Sequence, residues 1–228
     1  MHLKRNTVVR KKSLLFILIL SISYFIPCFC SANPSLDKIK TDFRNNDWEV
    51  RLAVMERLAN SKDDETVDFL MAVAGNKNEQ WEVQVRAIQF LGEIQNPKAA
   101  PLLLEIFESR SKQYSCPAIK LYTALALAGF TGNSYVIPAL IAGTQSDEPL
   151  VREASVQALG RIRDRRAVPH ITSLLNNSSV ALRLSAINSL EKIGDPKAVP
   201  DLQIVAKNDT DAVVRETARL AIDKLQIQ

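Results

Sequence analysis

Residues 164 to 194 contain two amphipathic helices joined by a turn, and they read Asp164-Arg-Arg-Ala-Val-Pro-His-Ile-Thr-Ser-Leu-Leu-Asn-Asn-Ser-Ser-Val-Ala-Leu-Arg-Leu-Ser-Ala-Ile-Asn-Ser-Leu-Glu-Lys-Ile-Gly194. The first half places aliphatic residues at helical spacing behind Asp164, an acid of the kind that caps helix N-termini. The second half, from Ala181 to Ile193, carries one apolar stripe and stops at Gly194, as a helix with a C-cap glycine would. The apolar faces are Val168, Ile171, Leu174 and Leu175, and then Leu182, Ala186, Ile187, Leu190 and Ile193. The unit is predicted to be an αα-hairpin.

The same unit returns every 31 to 36 residues along most of the chain. Its clearest mark is a basic or amide residue, here named the anchor, directly after an aliphatic one. The anchors are Arg51, Gln84, Lys120, Arg152, Arg183 and Arg215. A large aliphatic residue follows each anchor by seven positions, namely Leu58, Leu91, Leu127, Leu159, Leu190 and Ile222. The approximate repeats are 35–61, 62–95, 96–132, 133–163, 164–194 and 195–228.

These repeats predict an all-α solenoid of about six antiparallel helix pairs. One hairpin of this size cannot bury its apolar face alone, so neighbouring hairpins must stack on each other. The phrases Val151-Arg-Glu-Ala-Ser-Val-Gln-Ala-Leu-Gly160 and Asp195-Pro-Lys-Ala-Val-Pro200 resemble the HEAT-repeat family, in the short bacterial form that also occurs in phycobilin lyases. The resemblance covers about residues 36 to 228. It implies a superhelix whose second helices line the concave side, but the family hosts scaffolds, inhibitors and a few enzymes.

A different kind of segment precedes the repeats. Five basic residues and no acid occupy residues 1–12, the apolar run Leu14 to Ile26 follows, and Pro27 interrupts it. Cys30 and Ala32 are small residues at the −3 and −1 positions of a cleavage site before Asn33. This order predicts a secretory signal peptide over residues 1–32 and a mature domain over 33–228, exported to the periplasm or the medium. The alternative is an uncleaved membrane anchor formed by residues 13–30.

Removal of the leader changes the charge and the cysteine count. The chain has 29 basic and 25 acidic residues, and loss of the five leader cations leaves 24 against 25. A near-neutral domain gives no reason to expect a nucleic-acid partner, and the membrane would be involved only through an uncleaved leader. Cys116 is the only cysteine after the leader. An intrachain disulfide is therefore excluded, while an intermolecular one stays open.

The residue types needed for catalysis or metal binding are sparse. Deoxyhypusine hydroxylases, which resemble this chain in architecture, bind two irons through His-Glu pairs, but this chain has only His2 and His170. It also lacks a Gly-x-Ser-x-Gly elbow, a phosphate-binding glycine loop and, after the leader, a Cys-x-x-Cys pair. We expect no catalytic, cofactor-binding or metal-binding residues. The alternative is an enzyme or enzyme subunit that acts on a prosthetic group, as a bilin lyase or an oxidoreductase of this fold would.

The anchor column allows two interpretations. It could bind an anionic ligand, or it could be the structural ladder that the HEAT resemblance implies, in which each cation bonds the loop acid of its own or the neighbouring repeat. We favour the ladder. Its members would be Arg51, Lys120, Arg152, Arg183 and Arg215. Gln84 interrupts the column, with Arg86 nearby as a substitute.

Two sets of residues are candidate partner-binding sites. In the third repeat, Leu121, Tyr122 and Leu125 make the second helix more apolar than its neighbours, which suggests either a binding hot spot or a core thickened by the longer loop of residues 109–115. Trp48 and Trp81 stand one repeat apart at the same register, and they either dock a peptide or cap the turns. From these features we expect an exported, non-catalytic scaffold that binds a protein partner through its second helices.

Overall fold

The computed structural model describes residues 35–58, 60–110, 114 and 116–227, and these residues form only helices, turns and loops. Twelve α-helices alternate along the described part of the chain. The first helices of the pairs are α1 (Leu36–Asp42), α3 (Asp64–Ala74), α5 (Ala100–Glu108), α7 (Val136–Gly143), α9 (Val168–Thr172) and α11 (Val199–Asn208). The second helices are α2 (Trp48–Met55), α4 (Trp81–Ile94), α6 (Pro117–Leu127), α8 (Pro149–Ile162), α10 (Val180–Ile193) and α12 (Ala212–Ile227). The predicted all-α solenoid of six helix pairs is confirmed. The predicted signal peptide lies outside the described residues.

The helix starts contain one element that the sequence pattern did not predict. A 3₁₀ turn precedes α5, α9 and α11, and the polar residue in front of it (Asn96, Asp164 or Asp195) caps this turn and not the α-helix itself. Asp164 accepts a hydrogen bond from the backbone N–H of Arg166 at 2.8 Å, and Asp195 accepts one from Lys197 at 3.0 Å. The proline that follows falls in the first turn of the α-helix, where its missing N–H costs little. Gly194 takes the left-handed conformation that ends α10, as expected.

The second helices pack on one another in succession along the array. The first helices of neighbouring repeats touch each other sparingly, so the repeats curve toward the second helices and make that side concave. Small residues allow the close approach. A Cβ added at Gly160 on α8 would lie 2.9 Å from the Cα of Ser189 on α10, and one at Gly92 on α4 would lie 2.8 Å from the Cα of Ala126 on α6. Because there is no room for a larger side chain at these helix crossings, the close contacts limit the rotation of each repeat relative to the next.

The last described helix has a polar outer face. Glu191 on α10 pairs with Lys224 on α12, so the stripe of α10 that contains Leu184, Ile187 and Glu191 faces α12. The corresponding positions on α12 are Glu216, Arg219 and Asp223, all of them exposed. Charged residues therefore stand on α12 where α10 carries Leu184 and Ile187, so this face of α12 is polar.

Candidate functional site

Four of the anchor cations form hydrogen bonds with the turn of their own repeat. Arg51, Arg152, Arg183 and Arg215 each donate from Nη1 to the backbone carbonyl six residues earlier, at distances of 2.7, 2.6, 2.9 and 2.7 Å. Each guanidinium thereby satisfies a carbonyl in the turn between the two helices of a repeat. Gln84 fills the same role with its amide, which donates to the carbonyl of Asn76 at 2.7 Å. The side chain of Lys120 makes no hydrogen bond or ion pair to any residue that the structure describes.

Two anchors also reach the next repeat. Arg183 donates from Nε and Nη2 to the two carboxylate oxygens of Asp209, at 2.7 and 2.8 Å, and Arg51 pairs with Glu79 at 2.6 Å. Asp209 and Glu79 lie in the turn between the helices of the following repeat, so each pair ties two repeats together. Hydrogen bonds from Arg183 lower the pKa of Asp209 below its ordinary value.

Arg152 lacks such an acid. The turn that Arg152 faces in the next repeat reads Asn176-Asn-Ser-Ser179, and the Nε of Arg152 is buried without a hydrogen-bond partner. Arg86, the expected substitute for Gln84, instead lies on the concave face. There it pairs with both carboxylate oxygens of Glu56, at 2.7 and 2.8 Å, and stacks over the ring of Phe90. Most anchor side chains therefore bond to the turns, and the concave face is built by other positions of the second helices.

A groove between α8 and α10 shows which positions those are. Its volume is about 370 Å³. Four of its lining residues on α10 lie two positions before the anchor Arg183 and two, five and nine positions after it. This spacing places the four on one face of the helix. The groove is lined by Glu153, Gln157 and Arg161 from α8 and by Ala181, Leu184, Ser185, Asn188, Ser189 and Lys192 from α10. We call the four positions that lie two before and two, five and nine after each anchor the concave stripe.

The predicted hot spot lies in the middle of the concave stripe. Tyr122 and Leu125 occupy the positions two and five after the anchor of α6, and Leu121 is next to them. All three side chains are half-buried and pack against the core while part of each remains exposed. Of the long loop before α6, residues 111–113 and 115 lie outside the described residues, while Tyr114 is buried. The hot-spot interpretation and the thicker-core interpretation both stay predictions.

The two tryptophans differ in exposure despite their equal register. Trp48 opens α2 and is half-buried against the core, whereas Trp81 opens α4 and is 38% exposed. Both lie at the helix N-termini, one position before the concave stripe begins. The peptide-docking interpretation and the turn-capping interpretation stay predictions. Trp81 is the better placed of the two to meet a partner.

The sequence pattern did not single out the cations of the concave stripe. Arg161, Lys192 and Lys224 lie nine residues after three successive anchors, in the last turns of α8, α10 and α12. A comparison of the repeats column by column would have found them, because the first three repeats carry Asn60, Glu93 and Gly129 at this position. Their charge is a property of the C-terminal half of the array alone.

Within the described residues, the side chains do not assemble a metal-binding group. No three histidine, cysteine, aspartate or glutamate side chains among them converge on a common point. His170 is exposed in α9, and Cys116 is a half-buried free thiol in front of α6. The described helices include none with the length and apolarity needed to cross a membrane.

Comparison with known proteins matches the repeats to one family. The sequence profile for HEAT repeats matches residues 39–116, 110–183 and 137–223, which together cover most of the chain. No curated protein sequence matches the chain.

Several solved structures have a similar fold. One is the complex of CpcE and CpcF of phycocyanin lyase from a Nostoc species, with a TM-score of 0.57, 20% identity and coverage of 86% of this chain and 79% of that one. Another is the archaeal HEAT-like repeats protein from Thermococcus onnurineus, with a TM-score of 0.55, 15% identity and coverage of 98% and 99%. A third is a designed armadillo repeat protein in complex with the peptide (KR)4, with a TM-score of 0.57, 12% identity and coverage of 84% and 100%. At these identities the likeness concerns the fold alone.

Proposed function

The chain belongs to the HEAT-repeat family, and we propose that it is an exported scaffold that binds a protein partner along the concave stripe of its second helices and catalyses no reaction itself. The observation that carries this proposal is that the two halves of the array differ in how the charged residues of the concave stripe are paired. In the N-terminal half, the stripe's one cation, Arg86, is paired with the stripe acids Glu56 and Glu93. In the C-terminal half, Arg161 and Lys192 are exposed and have no ion pair to a described residue.

Side chains without an internal partner do not contribute to holding the repeats together. The repeats are joined by the apolar core and by pairs such as Arg183–Asp209, so the stripe is free to serve another molecule. Solved relatives in fold support this use, since one of them is itself a complex of two proteins and another holds a peptide. Export is supported by the charge, apolar run and small residues of the leader, which precede the repeats.

The experiment that tests the scaffold is in-cell crosslinking and capture with a matched pair of variants. Leu220 lies on the concave stripe of α12 and is 52% exposed, whereas Ile204 lies on the first helix α11 and is 57% exposed. Both changes, Leu220→Asp and Ile204→Asp, replace an exposed aliphatic residue with an acid and leave the core intact. We expect the Leu220→Asp variant to lose a partner that the wild type and the Ile204→Asp variant both capture. A partner that both the Leu220→Asp and the Ile204→Asp variant retain would refute binding through the concave stripe.

Three other measurements test the rest of the proposal. Loss of the partner in Leu125→Asp, with circular dichroism unchanged, would favour the hot spot over the thicker core. A chromophore or metal that co-purifies with the chain would favour the enzyme alternative instead. Mass spectrometry of the exported fraction tests the leader, because cleavage should leave Asn33 as the first residue.

A further inference from the structure

We propose that the concave groove of the last three repeats binds an extended protein segment with carboxylates along one side and aliphatic side chains along the other. This inference rests on the proposed function and specifies the chemistry of the partner. Three rows of side chains support it, of which the apolar row and the cation row run across α8, α10 and α12, while the polar row runs across α8 and α10. The apolar row is Leu150, Ala181 and Val213, the polar row is Gln157, Ser185 and Asn188, and the cation row is Arg161, Lys192 and Lys224.

The cation row supplies the charge selectivity. Arg161 and Lys192 line the groove at the C-terminal ends of their helices, and neither has an ion pair to a described residue. Lys224 is already paired with Glu191 at 2.7 Å. One carboxylate also lines the groove, that of Glu153, and it accepts a hydrogen bond from the amide of Gln157 at 3.1 Å. Glu153 lies two turns away from Arg161 along α8, so Arg161 and Lys192 present positive charge at this rim without a paired acid among the described residues.

The positive rim continues over the loop that follows α8. The segment from Arg161 to Arg166 reads Arg-Ile-Arg-Asp-Arg-Arg, and all four of its arginines are exposed. Within it only Arg166 has an acidic partner among the described residues, and that partner is Asp164 in the same loop. Beyond the loop, Arg165, Arg166 and Lys197 line a second depression together with Asp195 and Asp201. A carboxylate-bearing segment would therefore meet further cations in the loop beside Arg161, whereas the second depression carries charges of both signs.

The polar row indicates that the segment is extended and not helical. The hydroxyl oxygen of Ser185 is buried and has no hydrogen-bond partner, although its side chain lines the groove. Asn188 and Gln157 flank it with amide groups that can both donate and accept. An extended backbone offers unpaired N–H and C=O groups to such side chains, whereas a helix has already bonded its own. The unsatisfied hydroxyl points to a backbone partner.

The apolar row lies on the opposite rim. Leu150 is 54% exposed and Val213 is 62% exposed, and each lies in the first turn of its second helix. Eleven residues separate this row from the cation row along each helix, or about 16 Å. The long arginine and lysine side chains of the cation row extend across part of the distance between the two rows. Second helices about 9 Å apart would let about six extended residues span all three repeats.

Two other anionic partners fit these rows less well. A lipid bilayer is flat, and it cannot contact the apolar and the basic rims of a concave groove at the same time. A single-stranded nucleic acid is held by stacking on aromatic side chains, and the residues that line the groove include none. The rows therefore favour a protein segment over both.

The test uses fluorescence anisotropy of the full chain with three labelled peptides of about ten residues. The first alternates glutamate with leucine or valine, the second has lysine in place of glutamate, and the third has serine in place of the aliphatic residues. We expect the first to bind at least about tenfold more tightly than either of the others. Reversal of the rim charge in Arg161→Glu/Lys192→Glu should weaken binding of the first peptide about tenfold and strengthen binding of the second, with the effect fading at high salt.

The control is Lys62→Glu/Lys207→Glu, which changes the net charge equally at two exposed lysines outside the groove and should leave binding unchanged. Equal binding of the lysine peptide, or equal effects of the two double variants, would overturn the inference. So would sedimentation with phosphatidylglycerol vesicles in the absence of peptide binding. In the capture experiment, loss of the partner in Leu220→Asp but not in Arg161→Glu/Lys192→Glu would refute this inference and leave the scaffold proposal standing.

Discussion

Replacement of Arg183 by methionine should weaken the contact between the fifth and the sixth repeat. Arg183 makes three short hydrogen bonds, two to Asp209 in the next repeat and one to a carbonyl of its own turn. The side chains of the pair are only 9% and 6% exposed, which places them between a surface pair, worth about 0–1 kcal/mol, and a core pair, whose disruption costs about 3–5 kcal/mol. We expect Arg183→Met to lower the free energy of unfolding by about 2–3 kcal/mol.

Arg215 provides a matched control at the same register. It donates to the carbonyl of Asp209 at 2.7 Å and to that of Thr210 at 3.2 Å, but it has no carboxylate partner among the described residues. Arg215→Met should therefore cost only about 1 kcal/mol, the typical worth of such hydrogen bonds. Urea unfolding followed by circular dichroism measures both changes, and hydrogen exchange should place the loss from Arg183→Met in α11 and α12.

The pH dependence of the same variant tests its electrostatic cause. Because Arg183 lowers the pKa of Asp209, the pair stabilises the folded state at neutral pH, and that contribution is lost as the pH falls below about 4 toward the folded-state pKa. The difference in stability between the wild type and Arg183→Met should shrink over this acid range. An equal cost for the two arginine variants, or a difference that does not depend on pH, would refute the reasoning.

Three further changes test the packing and the helix ends. Gly160→Ala should destabilise the chain by about 1–3 kcal/mol despite the better helix propensity of alanine, because the new methyl group meets the facing serine of α10, while Gly132→Ala, with nothing within 4 Å, should be nearly neutral in urea unfolding. Asp63→Ala should cost about 1 kcal/mol by removing the cap of α3. Hydrogen bonds from a serine hydroxyl and from the backbone of α3 lower the pKa of Asp63 to about 2, so the difference between this variant and wild type should fade as the pH drops from about 4 to 2. Trp48→Ala should lower the unfolding midpoint clearly more than Trp81→Ala, because Trp48 packs against the core while Trp81 is 38% exposed.

The sequence was sufficient to predict the fold because burial follows the helical period. The aliphatic residues around each anchor recur at the spacing of one helix face, and that spacing requires no knowledge of the neighbouring repeat. The extra 3₁₀ turn before α9 was not predicted, because Asp164 is an equally good cap for either kind of turn. The partners of the anchors were not predicted either. Asp209 comes 26 residues after Arg183, and whether the two meet depends on the rotation between repeats, which close approaches such as that at Gly160 decide.

The concave stripe was only partly visible in the sequence for a related reason. Its aromatic and aliphatic members in the third repeat differ from their neighbours in type, so a pattern could mark them. Arg161 and Lys192 do not differ in that way, since arginine and lysine are common in the last turn of any helix, where the helix dipole favours them. Only the structure shows that they lie at one end of a groove.

The two halves of the array should differ in how readily they bind a partner, because the cations of their concave stripes are paired differently. Arg86 is held by Glu56 and stacks on Phe90, so a partner that met this part of the stripe would first have to separate a bidentate ion pair. Arg161 and Lys192 have no such bond to a described residue, and a carboxylate could approach them without that cost. Binding should therefore begin at the fourth and fifth repeats, and a longer segment that continues past α8 toward α6 would meet apolar contact but no charge at Tyr122 and Leu125. A partner segment that keeps its affinity when its apolar residues at the α6 end are removed, and loses it when its carboxylates at the other end are removed, would establish that order.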